Sequence, residues 1–129
     1  MAIERIIIFA LIATSLVYLA SAVPGSASFY TPPYVPSSCY GFQDQGVMIA
    51  AAPAGIFNNR AACGRRYSIR CTGRTNLGVL QPCRNGAITV RVVDLCPGCA
   101  ANQFDLSQEA FAMIADPNAG RILIDYNQV

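Results

Sequence analysis

Histidine, lysine and tryptophan are missing from this sequence. Without an imidazole there is no Ser-His-Asp triad, no histidine base and no histidine-containing zinc site. Charged residues are sparse at 12%, and every basic residue is an arginine. No Asn-x-Ser/Thr sequon occurs, so N-glycosylation is not expected. Internal repeats and heptads are absent as well, which excludes solenoids and coiled coils.

What is present begins with a leader pattern. Glu4 and Arg5 precede an apolar run from Ile6 to Ala20, and Ala20-Ser21-Ala22 supplies a small-residue cleavage site. The competing reading is a membrane anchor, but the run is shorter than the roughly 20 apolar residues of a spanning helix and no stop-transfer charges follow. The expectation is a signal peptide over 1–22 and one secreted domain over 23–129, with no membrane span in the mature chain. The mean hydropathy of +0.38 is raised by the leader and does not mark a membrane protein.

All six cysteines, Cys39, Cys63, Cys71, Cys83, Cys96 and Cys99, follow the leader. An even count in an oxidising compartment predicts three disulfides, with connectivity left open by spacing alone. Charge is segregated along the mature chain: seven arginines lie between Arg60 and Arg91, and five of six acids lie from Asp94 onward. Two readings apply, ordinary solubility with pairing between the halves, or a ligand patch for an acidic surface. The candidates for such a patch are Arg60, Arg65, Arg66, Arg70 and Arg74 with Tyr67.

Strand-like runs are Ala27–Thr31, Gly46–Ala52, Arg66–Thr72, Ala87–Leu95 and Arg121–Tyr126. SQEAFAMIA predicts one short helix with Ser107 as N-cap and Glu109 in its first turn. Short strands, a helix or two and three staples predict a small closed β structure, which leaves no exposed edges.

The segments ASFY, SSCYG, NNRAACGRRYSIRCTG, ITVRVVDLCPGC and FDLSQEAFAMIA occur in this order over nearly the whole mature chain. In this the sequence closely resembles the plant natriuretic peptides, family-45 endoglucanase-like domain proteins related to expansins and barwin. The resemblance implies a mainly β, six-stranded double-psi β-barrel. It also implies the bridges Cys39 with Cys63 and Cys71 with Cys83, leaving Cys96 for Cys99.

The stretch VVDLCPGCAANQFDLS invites three chemical readings. A redox CxxC needs a helix N-terminus at its first cysteine, yet Ala100-Ala101-Asn102-Gln103-Phe104 intervenes before any helix can begin at Ser107. A zinc site needs a second ligand pair at similar spacing, and none is available. A structural staple remains, and no metal or cofactor is expected. By resemblance, Asp105 stands where related cellulases keep their general acid, Asp94 at an acidic groove position, and Tyr30 beside the groove on the first strand. Hydrolysis needs a second carboxylate across the scissile bond, and the segment Ser28 to Pro33, where those cellulases keep their base, has none. Asp44, the other acid before Asp94, lies in a Gly- and Gln-rich loop with no sign of catalytic placement. For Asp105, helix capping and turn support compete evenly with a groove role; for Asp94 a loop-anchoring hydrogen bond is expected.

By resemblance, the expected function is that of a non-enzymatic, apoplastic signal in water and solute homeostasis, acting as a monomer on a cell-surface receptor or wall polysaccharide. A wall-loosening or weakly hydrolytic protein, and a barwin-like defence protein, are the alternatives. Nucleic acid is not an expected partner.

Overall fold

A computed structural model describes residues 22–129; the leader reading falls almost wholly outside the described residues. The elements are β1 (Val23–Tyr30), β2 (Ile49–Pro53), α1 (Ala54–Phe57), β3 (Arg66–Arg74), β4 (Ala87–Cys96), β5 (Gln103–Ser107), α2 (Gln108–Ile114), a 3-10 turn (Pro117–Ala119) and β6 (Ile122–Gln128). The strands close into a barrel in the order β1-β5-β2-β4-β3-β6, with β6 pairing back onto β1. Two of its six ladders, β1 with β5 and β2 with β4, are parallel. Parallel neighbours cannot be joined by a tight hairpin, so long connections wrap the barrel. Among the described residues no helix is long and apolar enough to cross a membrane.

The alternation of β4 and β6, AITVRVVDL and RILIDY, has a direct packing consequence, and β3 shares it. Ile69, Val90, Val92, Ile122 and Ile124 point inward and are essentially inaccessible, and with Phe104 and Leu106 of β5 they fill the barrel. Tyr67, Phe104 and Tyr126 meet there, with ring centroids 4.9 to 6.0 Å apart. Tyr67 is only 6% exposed, which corrects its reading as a surface ligand residue. It belongs to the inward half of β3.

Outside the barrel, Phe111 of α2 packs on Phe29 at 4.9 Å. Ser107 caps this helix as expected, accepting the Ala110 N–H at 3.0 Å. The strand unmarked by the pattern reading is β5, QFDLS: five residues give little alternation, and they run straight into the helix cap. Strand β2 begins at Ile49 and not Gly46, because Gly46 has φ +78° in a turn where Asp44 accepts its N–H at 2.8 Å.

Three disulfides fix the connections: Cys39–Cys63, Cys71–Cys83 and Cys96–Cys99, the pairing that the resemblance implies. The long connection from β1 to β2 is held against the barrel by Cys39–Cys63 and by the Cys39 N–H on the Val93 carbonyl at 2.9 Å.

Candidate functional site

Four residues from four adjacent strands stand side by side on the outside of the barrel. Ser28 of β1 is in register with Asp105 of β5, Asp105 with Ala51 of β2, and Ala51 with Asp94 of β4. Register partners in a sheet project to the same face, so Asp105 and Asp94 flank the small Ala51 as the two sides of a shallow trough. Two ladder spacings of about 4.8 Å put their backbones roughly 10 Å apart. The sequence signal missed here was β5 itself, since without it Asp105 has no register.

A bulge gives Asp94 its aim. Val92 pairs with Ala50, but Asp94 pairs with Ala51, so Val93 is an extra residue on β4. Such an insertion resets which side chains face out. Val92 and Val93 are both buried, and Asp94 emerges half-buried on the outer face. Its Oδ1 accepts the Ser38 N–H at 3.0 Å and the Leu95 N–H at 2.9 Å. Asp94 therefore anchors the β1–β2 connection, as expected, while bordering the trough.

Asp105 is placed differently from the turn-support reading, which is corrected: it sits within a strand and caps nothing. The Ser28 hydroxyl donates to its Oδ1 at 2.9 Å, and Ser28 in turn accepts from Gln103 Nε2 at 3.0 Å. Gln103 Oε1 takes the Ala100 N–H at 3.0 Å, beside the Cys96–Cys99 staple. This chain of contacts orients one carboxylate from the stapled turn, and gives the CxxC a structural part in the site. Burial pushes the Asp105 carboxyl above its ordinary range, and the Ser28 hydrogen bond opposes that shift. A carboxyl so placed holds its proton more readily, as a proton donor must.

Tyr30 rises at the end of the trough. Its hydroxyl is buried with no hydrogen-bond partner among the described residues. Burial, and then the charges of Asp94 and Asp105, push its pKa well up, so it stays a neutral donor. Beside it, ring to ring at 5.2 Å, is Tyr34, whose hydroxyl donates to Glu109 Oε2 at 2.5 Å. Burial and that bond push Tyr34 up to about 12. Asp44 stays in its own turn, as expected.

Residues 49–126 match the double-psi β-barrel family model described as lytic transglycolase. An EG45-like domain containing protein of Citrus jambhiri is 56% identical over 110 residues, 84% of this chain and 83% of that one. This chain belongs to the EG45-like domain proteins. A putative EG45-like domain containing protein 1 of Arabidopsis thaliana is 43% identical over 123 residues, 95% of this chain and 97% of that one. Among solved structures, a Clavibacter michiganensis expansin in complex with cellohexaose superposes with a TM-score of 0.68 at 26% identity, over 84% of this chain and 50% of that one. The EG45-like chain thus spans half the length of that expansin.

The arginine candidates of this EG45-like barrel divide. Arg60 is exposed but tied to the β1–β2 connection: its guanidinium donates to the carbonyls of Ser38 and Cys39 from a backbone at φ +77°, which gives it a structural task apart from the other four. Arg65, Arg66, Arg70 and Arg74 are exposed. Arg66 and Arg70 share the outer face of β3, away from the trough, and Arg91 joins them from β4. Arg91 lay outside the sequence candidates because its neighbour across the ladder cannot be read from spacing.

Proposed function

We propose that this protein acts outside the cell as a non-hydrolytic barrel that holds a linear, uncharged polysaccharide in the trough between Asp105 and Asp94. The observation that carries this is the row Ser28, Asp105, Ala51 and Asp94, with the Tyr30 hydroxyl left as an unpaired donor beside it. Sugar hydroxyls both donate and accept, so a trough offering two carboxylates, a phenol and an amide-held serine matches them. The expansin neighbour, which is described with cellohexaose, supports a β-glucan as ligand. Non-hydrolysis is favoured because Asp94 already serves two backbone N–H groups and the Ser28 to Pro33 segment has no acid. The role in apoplastic water and solute homeostasis follows from the likeness to plant natriuretic peptides, and we place it downstream of docking at the wall or at a receptor there, by a secreted monomer.

The test is co-sedimentation of the secreted protein with cellulose, together with a reducing-end assay. Binding without new reducing ends, reduced by Asp94→Asn and by Tyr30→Phe, is expected, and swelling of protoplasts by the unaltered protein tests the homeostatic role. Absence of binding to every neutral glucan overturns the reading. A second reading, hydrolysis with Asp105 as acid, is favoured by two carboxylates projecting from one outer face with burial raising the Asp105 carboxyl. Release of reducing ends that Asp105→Asn abolishes would establish it.

A further inference from the structure

We infer that the outer face of β3 and β4 is a second binding surface, for a linear polyanion of the polyuronate class. In the antiparallel ladder Arg66 lies directly opposite Arg91, and both are exposed. Like charges set opposite one another weaken a sheet, so the sheet itself gains nothing from the pair. Between them is a depression of about 270 Å³ lined by Gln45, Met48, Arg66, Thr89, Val90 and Arg91, with no carboxylate in its wall. Arg91 is steadied there by an amide, donating to Gln45 Oε1 at 2.9 Å, which orients the guanidinium without neutralising it.

The positive charge then runs along the strand. Arg70 projects from the same face of β3, four residues on and therefore about 13 Å from Arg66. It borders a second depression with Ser68, Ala87, Asn127 and Asp125. Asp125, in register with Arg70 on β6, is the acid on this face and limits the track on that side. Arg65 precedes the strand, and Arg74 lies beyond the irregularity at Cys71–Gly73 in register with the inward Ile122, so the track on this face is made by Arg66, Arg70 and Arg91. The cations are all guanidinium forks, which match carboxylates in a bidentate, planar manner. Cations repeated along a strand suit an extended polymer with a carboxylate on each unit better than a single anion. Neither depression includes an aromatic ring on which a nucleobase would stack.

This surface is independent of the trough. Asp94, Asp105 and Glu109 make that side acidic, so a polyuronate would be repelled there and drawn to the arginine face.

Affinity electrophoresis of the secreted, disulfide-bonded protein in gels holding polygalacturonate, its fully methyl-esterified form, or a neutral β-glucan separates the possibilities. Retardation by polygalacturonate alone of the first two, falling as salt rises, is expected. Arg66→Gln with Arg91→Gln should weaken it roughly tenfold or more, a loss of about 1.4 kcal/mol. Arg70→Gln should weaken it less, and Arg121→Gln, an exposed arginine that lines neither depression, should leave it nearly unchanged. Retention on neutral glucan should be the same in all four proteins. The inference is overturned if the esterified polymer binds equally, if Arg121→Gln costs as much as Arg66→Gln, or if RNA or an acidic protein is held more tightly through the same arginines.

Discussion

The Ser28 hydroxyl and the Asp105 carboxylate face each other across the parallel β1–β5 ladder, 2.9 Å apart, joined by a single hydrogen bond on the outer wall of the barrel. The bond favours the ionised carboxylate while the surrounding burial disfavours it, and burial is the larger effect. Asp105 is therefore a strained resident of its own strand, and its cost to the fold can be measured.

Replacing Asp105 by Asn should stabilise the protein at neutral pH. A carboxyl whose folded pKa is raised binds more protons in the folded state than in the unfolded state, so stability falls as pH rises from the unfolded value of about 3.9 through the raised folded value. Above that window the loss is complete; below it the penalty disappears. Thermal melts from pH 3 to 8 should show Asp105→Asn gaining on the unaltered protein as pH rises, then running parallel. A lower melting temperature for the variant at pH 7 would contradict this.

Changing Ser28 to Ala removes the hydroxyl that opposes the burial effect, so the Asp105 carboxyl should titrate higher still by carbon-detected NMR. It also takes an acceptor from Gln103 Nε2, at a cost of about 1–2 kcal/mol. Ser28→Thr retains the hydroxyl and should do neither. An unmoved Asp105 titration in Ser28→Ala would mean that the bond is not made in solution.

Loss of Cys39–Cys63 should harm folding more than loss of Cys96–Cys99. The bridged residues are 24 apart in the first and 3 apart in the second. The chain-entropy relation gives roughly 3.5 kcal/mol for the longer loop and about 2 kcal/mol for the shorter. Denaturant titration of the two double-Ser variants checks the order, and equal midpoints would refute it.

Gly25→Ala should destabilise although it lies near the start of β1. A Cβ there would stand 2.2 Å from the Asn102 carbonyl oxygen and 3.0 Å from the Tyr126 ring, and the carbonyl is already fixed by the Ser26 N–H at 3.1 Å. The backbone must move, at about 1–3 kcal/mol. A melting temperature equal to that of the unaltered protein would show that the segment near Asn102 yields freely.

The inward halves of β4 and β6 were legible because Ile88, Val90 and Val92, and Ile122 and Ile124, repeat every second residue, and Ser107 announced the helix that follows it. Tyr67 was misjudged since it lies among arginines in sequence, whereas a strand sends neighbours to opposite faces. Asp105 and Asp94 were recognised as candidates through family likeness. Their common row was not readable, because it depends on parallel pairing between strands far apart in the chain and on one extra residue. Arg91 was overlooked for the same reason: a pair across a ladder has no signature along the sequence.

That extra residue, Val93, changes the parity of β4. Before it the odd-numbered side chains, Thr89 and Arg91, look outward; after it the even-numbered Asp94 does. One strand thereby presents a cation to one surface and an anion to another, within three residues and without crossing the barrel wall. Were β4 to run past β2 without the bulge, Val93 would turn outward and Asp94 toward the hydrocarbon interior, so the distinction between the two surfaces is encoded in one backbone irregularity and not in residue identity.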